Sequence, residues 1–139
     1  MDNNHLINNI FRESIKVAGD VSETLSNEII EISSLIFTRL MNGNKIMACG
    51  NGGSAGDSQH FASELVNRFE IDRDELAALA LTTDSSTITS IANDYGYDEI
   101  FSKQISALGK KNDILLAITT SGNSKNIYQA IKQAQNNDI

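Results

Sequence analysis

The stretch that most restricts the fold of this 139-residue chain runs Cys49-Gly50-Asn51-Gly52-Gly53-Ser54-Ala55-Gly56-Asp57-Ser58-Gln59-His60-Phe61-Ala62-Ser63-Glu64. A short apolar run, residues 46–49, meets a turn with four glycines in seven positions, and the turn opens directly into helical spacing. Glycines let backbone N–H groups come close to a ligand, and a helix N-terminus adds partial positive charge there. His60 and Glu64 follow at i and i+4, on one helix face.

The same order recurs along the chain. Residues 45–49 read as a buried strand and 54–68 as a helix, opened by Ser54-x-x-Asp57 in a capping-box-like pair. Residues 76–81 form a second short apolar run. Thr83-Asp84-Ser85-Ser86 can cap a helix through Ile88, Ile91 and Ala92, with residues 93–97 as a loop. A helix over 98–108 stops at Gly109. Residues 113–119 make the clearest strand, and Thr120-Ser121-Gly122-Asn123-Ser124 leads into a helix bearing Ile127, Ala130, Ile131 and Ala134. Three repeats of strand, loop and helix predict an α/β protein: a three-layer parallel sheet with flanking helices and ligands at the carboxyl ends of its strands.

Two helices precede the sheet. Leu6, Ile7, Ile10, Phe11, Ile15 and Val17 stripe a helix over 5–18, which Gly19-Asp20 should break. Asp20 or Ser22 then caps a longer helix, carrying apolar residues from Leu25 to Leu40 and ended by Asn42-Gly43-Asn44. Its stripe is wider than one surface helix needs, which suggests a lid on the sheet or a subunit contact. The organisation is a single domain over 1–139, with a helical segment at 1–42 and an α/β core at 43–139. Three parallel strands leave an open edge after the last helix. The core is therefore expected to be incomplete at its C-terminal side.

Composition narrows the function. A formal net charge of −7 argues against direct nucleic-acid binding, which needs a basic footprint. It leaves room for a small phosphorylated ligand, since the local field of a backbone and hydroxyl cradle decides. No apolar run approaches the ~20 residues of a membrane span. The first residues lack a signal-peptide pattern and Cys49 is the sole cysteine, so a cytoplasmic location is expected.

Three clusters could do chemistry. The 50–56 loop can hold a phosphate or sugar hydroxyls on N–H groups, with Asn51 and Ser54 as side-chain partners. It is not a Walker loop, since no Gly-Lys-Ser/Thr follows. His60 and Glu64 could give a divalent metal two donors, or Glu64 could be a general base beside His60. As an isolated pair they read more simply as a surface contact. Thr119-Thr120-Ser121-Gly122-Asn123-Ser124 sets four hydroxyls, an amide and a glycine at a helix N-terminus, a phosphate-site composition. Ser124 could alternatively be an ordinary N-cap. Asp84-Ser85-Ser86 and Asn93-Asp94 default to solvated turns, and Cys49 to a buried position.

Taken in order, Cys49-Gly50-Asn51-Gly52-Gly53-Ser54, His60-Phe61-Ala62-Ser63-Glu64-Leu65, Ala92-Asn93-Asp94-Tyr95-Gly96 and Thr120-Ser121-Gly122-Asn123-Ser124 resemble the bacterial phosphoheptose isomerase family. These are the sedoheptulose 7-phosphate isomerases of the sugar-isomerase (SIS) superfamily. The resemblance is loose before residue 42 and close after it. It implies a flavodoxin-like, SIS-type architecture and a homotetramer with active sites between subunits, the N-terminal helices aiding assembly. It implies an aldose–ketose isomerase making D-glycero-D-manno-heptose 7-phosphate for ADP-heptose and lipopolysaccharide core synthesis.

It further implies substrate contacts at Asn51, Gly52, Gly53, Glu64, Asn93, Asp94, Thr119, Thr120, Ser121 and Ser124. His60 and Glu64 become zinc ligands, one zinc per subunit, and Glu64 a catalytic acid/base. Thr119 stands where the family usually has serine, which keeps the hydroxyl. The family's further Gln and His lie in a C-terminal helix with no counterpart here. Set against that pattern, about a quarter of the polypeptide is absent, last strands included. A product ending at Ile139 is expected to be inactive alone. A related non-catalytic regulator, the initiator-associating protein of bacterial replication, is the second reading. It typically lacks a carboxylate at the position of Glu64. A sugar-phosphate-sensing transcription regulator is a third reading, with no helix-turn-helix or basic segment to support it.

Overall fold

The computed structural model describes residues 3–139; Met1 and Asp2 lie outside the described residues. The chain divides into two compact units, one ending at Phe37 and one spanning Thr38–Ile139.

The first unit is helical. Helix α1 covers Asn3–Thr24 and α2 covers Ser26–Met41, most of which lies in this unit. The expected break at Gly19-Asp20 does not occur. A helical glycine costs only about 1 kcal/mol, and no proline enforces a stop. The irregularity falls instead at Leu25, and even there Leu25 N–H donates to Val21 O and Ile29 N–H to Leu25 O. No residue of α1 is buried, and Ile10, Phe11 and Ile15 are exposed along it.

The second unit holds the sheet. Strands β1 (Ile46–Gly50), β2 (Ala78–Ala80) and β3 (Ile114–Ile118) run parallel in the order β2-β1-β3. β1 is central and buried throughout, as its continuous apolar run requires. Its alternation divides the core. Met47 and Cys49 join Leu81, Phe101, Ile105, Ile127 and Ala130 in one cluster. Helix α3 (Gly53–Val66) packs on β1 and β2. The other helices are α4 (Ser85–Tyr95), α5 (Ser102–Leu108) and α6 (Lys125–Asn136), with a single 3₁₀ turn at Tyr97–Glu99.

Several elements differ from their sequence reading. β2 keeps only three of the six residues in its apolar run, alanine and leucine being modest strand formers. β3 is half-buried along its whole length, because only β1 pairs with it among the described residues. The helix expected over 98–108 is a 3₁₀ turn followed by the shorter α5. Asn93 and Asp94 occupy the last turn of α4 instead of a loop.

Candidate functional site

All three strands point their carboxyl ends to one edge, where β1 passes into α3, β2 into α4 and β3 into α6. β1 and β3 are neighbours, and each feeds a ligand-type loop.

The first loop is built by close packing. A Cβ added at Gly50 would lie 2.4 Å from the main-chain oxygen of Ser54, so only glycine lets the turn close this tightly. Gly52, at φ +56°, is the N-cap of α3 and supplies no side-chain cap. Ser54 is therefore not the cap its spacing suggested; it lies inside the first turn, buried. Ser54 N–H donates to Asn51 O at 3.0 Å and Ala55 N–H to Gly52 O at 3.1 Å. The N–H groups of Gly52 and Gly53 make no backbone hydrogen bond among the described residues.

The second loop folds on its own hydroxyls. Thr119 Oγ1 accepts from Gly122 N–H at 3.2 Å, and Ser121 Oγ from Asn123 N–H at 3.2 Å. Both hydroxyls thereby keep their own protons for a ligand. Ser124 is the N-cap of α6, yet its side chain makes no capping bond. Both helix N-termini thus reach this edge without a side-chain cap.

Asn51, Ser54, Ile118, Thr119, Thr120, Ser121 and Ser124 together line a cavity of about 60 Å³. That is roughly twice the ~30 Å³ share of a liquid water. It suits one tetrahedral oxyanion and falls far short of the ~300–1,000 Å³ that encloses a drug-sized ligand. A second cavity of about 120 Å³ adjoins the glycine turn, between Gly50, Asn51 and Gly52 and the residues Thr82, Tyr97 and Phe101. Asn51 borders both cavities. A larger cavity, about 370 Å³, lies along edge strand β2 between Leu79, Ile91 and Leu108. Its walls are mainly apolar, and Asp84 there is committed to capping α4.

The remaining sequence candidates stand apart from the small cavity. Asn93 and Asp94 are exposed and bonded to each other, Asn93 Nδ2 donating to Asp94 Oδ1 at 2.8 Å. They line neither loop cavity. On α3, Ser54, Ser58 and Ala62 form the buried face. At ~100° per residue His60 falls roughly on the opposite face, while Glu64 lies to one side of it and is half-buried. His60 Nε2 lies 3.0 Å from Glu64 Oε1, and the imidazole is 74% exposed. Arg73 fixes the same end of α3, donating to the main-chain oxygens of Glu64 (2.6 Å) and Leu65 (3.0 Å).

The two donors do not by themselves fit zinc. Catalytic zinc takes three protein ligands and structural zinc four. No group of three His, Cys, Asp or Glu that could hold a metal occurs among the described residues. Nor is Cys49 a nucleophile, because burial pushes its thiol up to about 12.

Sequence reasoning missed Asn126 and Tyr97. Asn126, buried at the start of α6, bonds reciprocally with Asn51, and the Tyr97 hydroxyl donates to Asn51 Oδ1. Asn126 stands two residues after Ser124, inside the phosphate-type segment, but spacing alone gives no hint of a partner 75 positions away.

An open parallel sheet with a polar cavity between loops from neighbouring strands defines a class, and the SIS domain family matches residues 10–139. A phosphoheptose isomerase of Shewanella sediminis is 58% identical over 133 residues, spanning 96% of this chain and 68% of the relative. The solved phosphoheptose isomerase of Neisseria gonorrhoeae superposes with a TM-score of 0.90 at 46% identity, covering 97% of this chain and 70% of that one. That of Francisella tularensis gives 0.95 at 43% identity, covering 99% and 72%. The chain belongs to the phosphoheptose isomerase family of SIS-domain proteins. The part of the Shewanella relative without a counterpart here is nearer a third than the expected quarter.

Proposed function

We propose that this chain takes part in interconverting sedoheptulose 7-phosphate and D-glycero-D-manno-heptose 7-phosphate, supplying ADP-heptose for lipopolysaccharide core synthesis in the cytoplasm. The observation behind this reading is the 60 Å³ cavity, where hydroxyls and one amide converge between two uncapped helix N-termini. A phosphate group there would be held by hydrogen bonds and helix-end charge, without a lysine or arginine among the lining residues. The sugar would extend past Asn51 and the glycine turn, toward the second cavity. Asn93 and Asp94 remain proposed substrate contacts, at the exposed end of α4.

Moving a carbonyl between C2 and C1 passes through an enediol. A carboxylate takes the proton from one carbon and returns it to the other. Glu64 is the proposed base. Its place ten residues along α3 from Ser54, about 15 Å by helical rise, and outside the cavity lining fits a site shared between copies of the chain, each copy's Glu64 serving a neighbour's phosphate cavity. The exposed apolar residues of α1 support assembly, which we place at a homotetramer. Zinc on His60 and Glu64 would need further donors from outside the described residues of one chain. Glu64 also favours an enzyme over a replication-associated binding protein, and the relatives named above are isomerases.

Calorimetry with sedoheptulose 7-phosphate tests the reading. Binding is expected, with loss of affinity for unphosphorylated sedoheptulose; equal affinity for the two sugars overturns the phosphate assignment. Purified protein verified to end at Ile139 should bind the sugar phosphate but turn it over negligibly, with or without added zinc. Turnover at enzymic rates would contradict the need for further donors. In a full-length relative, replacing the residue matching Glu64 by glutamine should slow turnover by roughly 10²–10⁴.

A further inference from the structure

We propose that Asn126 is a positioning residue, whose buried amide sets Asn51 to offer one N–H donor and no acceptor to an anionic oxygen in the 60 Å³ cavity. This deepens the isomerase reading and rests on it for the identity of the anion, the phosphate of the substrate. Asn126 is 2% exposed and does not itself line the cavity. Its Nδ2 donates to Asn51 Oδ1 at 2.8 Å, and its Oδ1 accepts from Asn51 Nδ2 at 2.9 Å. The Tyr97 hydroxyl donates to the same Asn51 oxygen at 3.1 Å.

A primary amide has two acceptor lone pairs and two N–H groups. Both acceptor positions of Asn51 are taken by Asn126 and Tyr97, and one of its N–H groups is spent on Asn126. The other N–H makes no hydrogen bond among the described residues, and Asn51 borders the cavity. A phosphate monoester dianion presents only acceptor oxygens on its free corners, so it matches a donor. A sugar hydroxyl seeking to donate finds no acceptor on this side chain. The reciprocal pair also ties the turn after β1 to the start of α6, fixing the separation of the two cavity walls.

The test is a double-mutant cycle on anion binding, with inorganic phosphate and sedoheptulose 7-phosphate as probes, using Asn126→Ala, Asn51→Ala and the double variant. Asn126→Ala is expected to weaken binding about tenfold, the scale of one well-placed hydrogen bond. The double variant should bind no more weakly than Asn51→Ala, because Asn126 acts through Asn51. Unchanged affinity in Asn126→Ala, or fully additive losses, overturns the proposal. If Asn126→Ala fails to fold, Tyr97→Phe takes its place. It should weaken binding about two- to threefold at an unchanged melting temperature, consistent with losing a weak exposed bond. Unchanged affinity in Tyr97→Phe again overturns the proposal. Binding of inorganic phosphate without sedoheptulose 7-phosphate would sink the isomerase reading, while the cycle on phosphate still decides Asn126. Binding of neither probe overturns both.

Discussion

The turn after β2 and the turn after β3 have similar compositions, Thr82-Thr83-Asp84-Ser85-Ser86 against Thr119-Thr120-Ser121-Gly122-Asn123-Ser124. Both carry the chain from a parallel strand into a helix. In the first, Asp84 caps α4, accepting from Ser86 N–H at 3.0 Å and Thr87 N–H at 3.1 Å, and from the Thr87 hydroxyl at 2.6 Å. The Thr87 hydroxyl and N–H hold that carboxyl below its usual range, outweighing the small opposing effect of burial. In the second turn the N-cap is a serine with no capping bond, and the Thr119 and Ser121 hydroxyls accept from the loop's own N–H groups. One turn meets its helix N-terminus with a carboxylate of the chain. The other leaves its helix N-terminus without a side-chain cap. An acid at the N-cap, more than hydroxyl content, separates a closed turn from an open one.

The largest effect should come from the glycine turn after β1, which walls the same small cavity as the open turn. Gly50→Ala drives a Cβ into the Ser54 carbonyl and should cost roughly 1–3 kcal/mol or more, as overpacking does. Thermal unfolding should show the loss, and phosphate titration should find binding abolished. A wild-type melting temperature in Gly50→Ala would mean that the turn is looser than its geometry.

Asp113 extends the comparison to the opposite edge of the sheet. Its buried carboxylate accepts from Lys45 N–H at 3.0 Å and Lys110 N–H at 2.8 Å, and pairs with Lys45 Nζ. Burial raises its pKa, but the bonds from Lys45 and Lys110 outweigh that and leave it lowered. A depressed folded pKa means the stabilisation is present above the unfolded value, ~3.9. It is then lost as pH falls through the folded value. Asp113→Asn should cost roughly 1–3 kcal/mol at pH 7. It should also flatten the decline in stability below about pH 4, where the unfolded carboxyl titrates. Urea melts from pH 7 to pH 2 will show whether the acid limb persists in the variant.

The smallest effects sharpen the contrast best, because they should cross. Ser124→Ala should weaken phosphate binding about three- to tenfold while leaving the melting temperature within about a degree, since no internal bond is lost. Asp84→Ala should do the reverse, lowering the melting temperature by about a few degrees with phosphate affinity unchanged. Equal responses from the two variants would erase the distinction between the turns.

Much of this arrangement was legible before any coordinates. Residues 46–49 read as a buried strand because a central parallel strand is apolar on both faces. Gly109 and Asn42-Gly43-Asn44 marked helix ends correctly. The helix break at Gly19 was misplaced, since a single glycine costs less than the surrounding turns contribute. Asn93-Asp94-Tyr95 looked like a loop from its composition, yet it closes α4 ahead of Gly96. The hydroxyl segment was legible as a candidate phosphate loop, and the glycine turn as its neighbour. The partners of Asn51 were not.

Local chemistry determined the kinds of element, the glycine at the turn and the choice of hydroxyls beside a helix start. Those depend on residues within a few positions of each other, so the sequence alone contains them. Only the tertiary structure decided that β1 lies between β2 and β3, which brings residues 50–54 against 119–124 and lets Asn51 meet Asn126. The same packing turned Ser54 inward and His60 outward, because α3 has one face to bury and the sheet selected it. Strand order and helix rotation are set by burying apolar surface across the whole unit. No short motif encodes that sum.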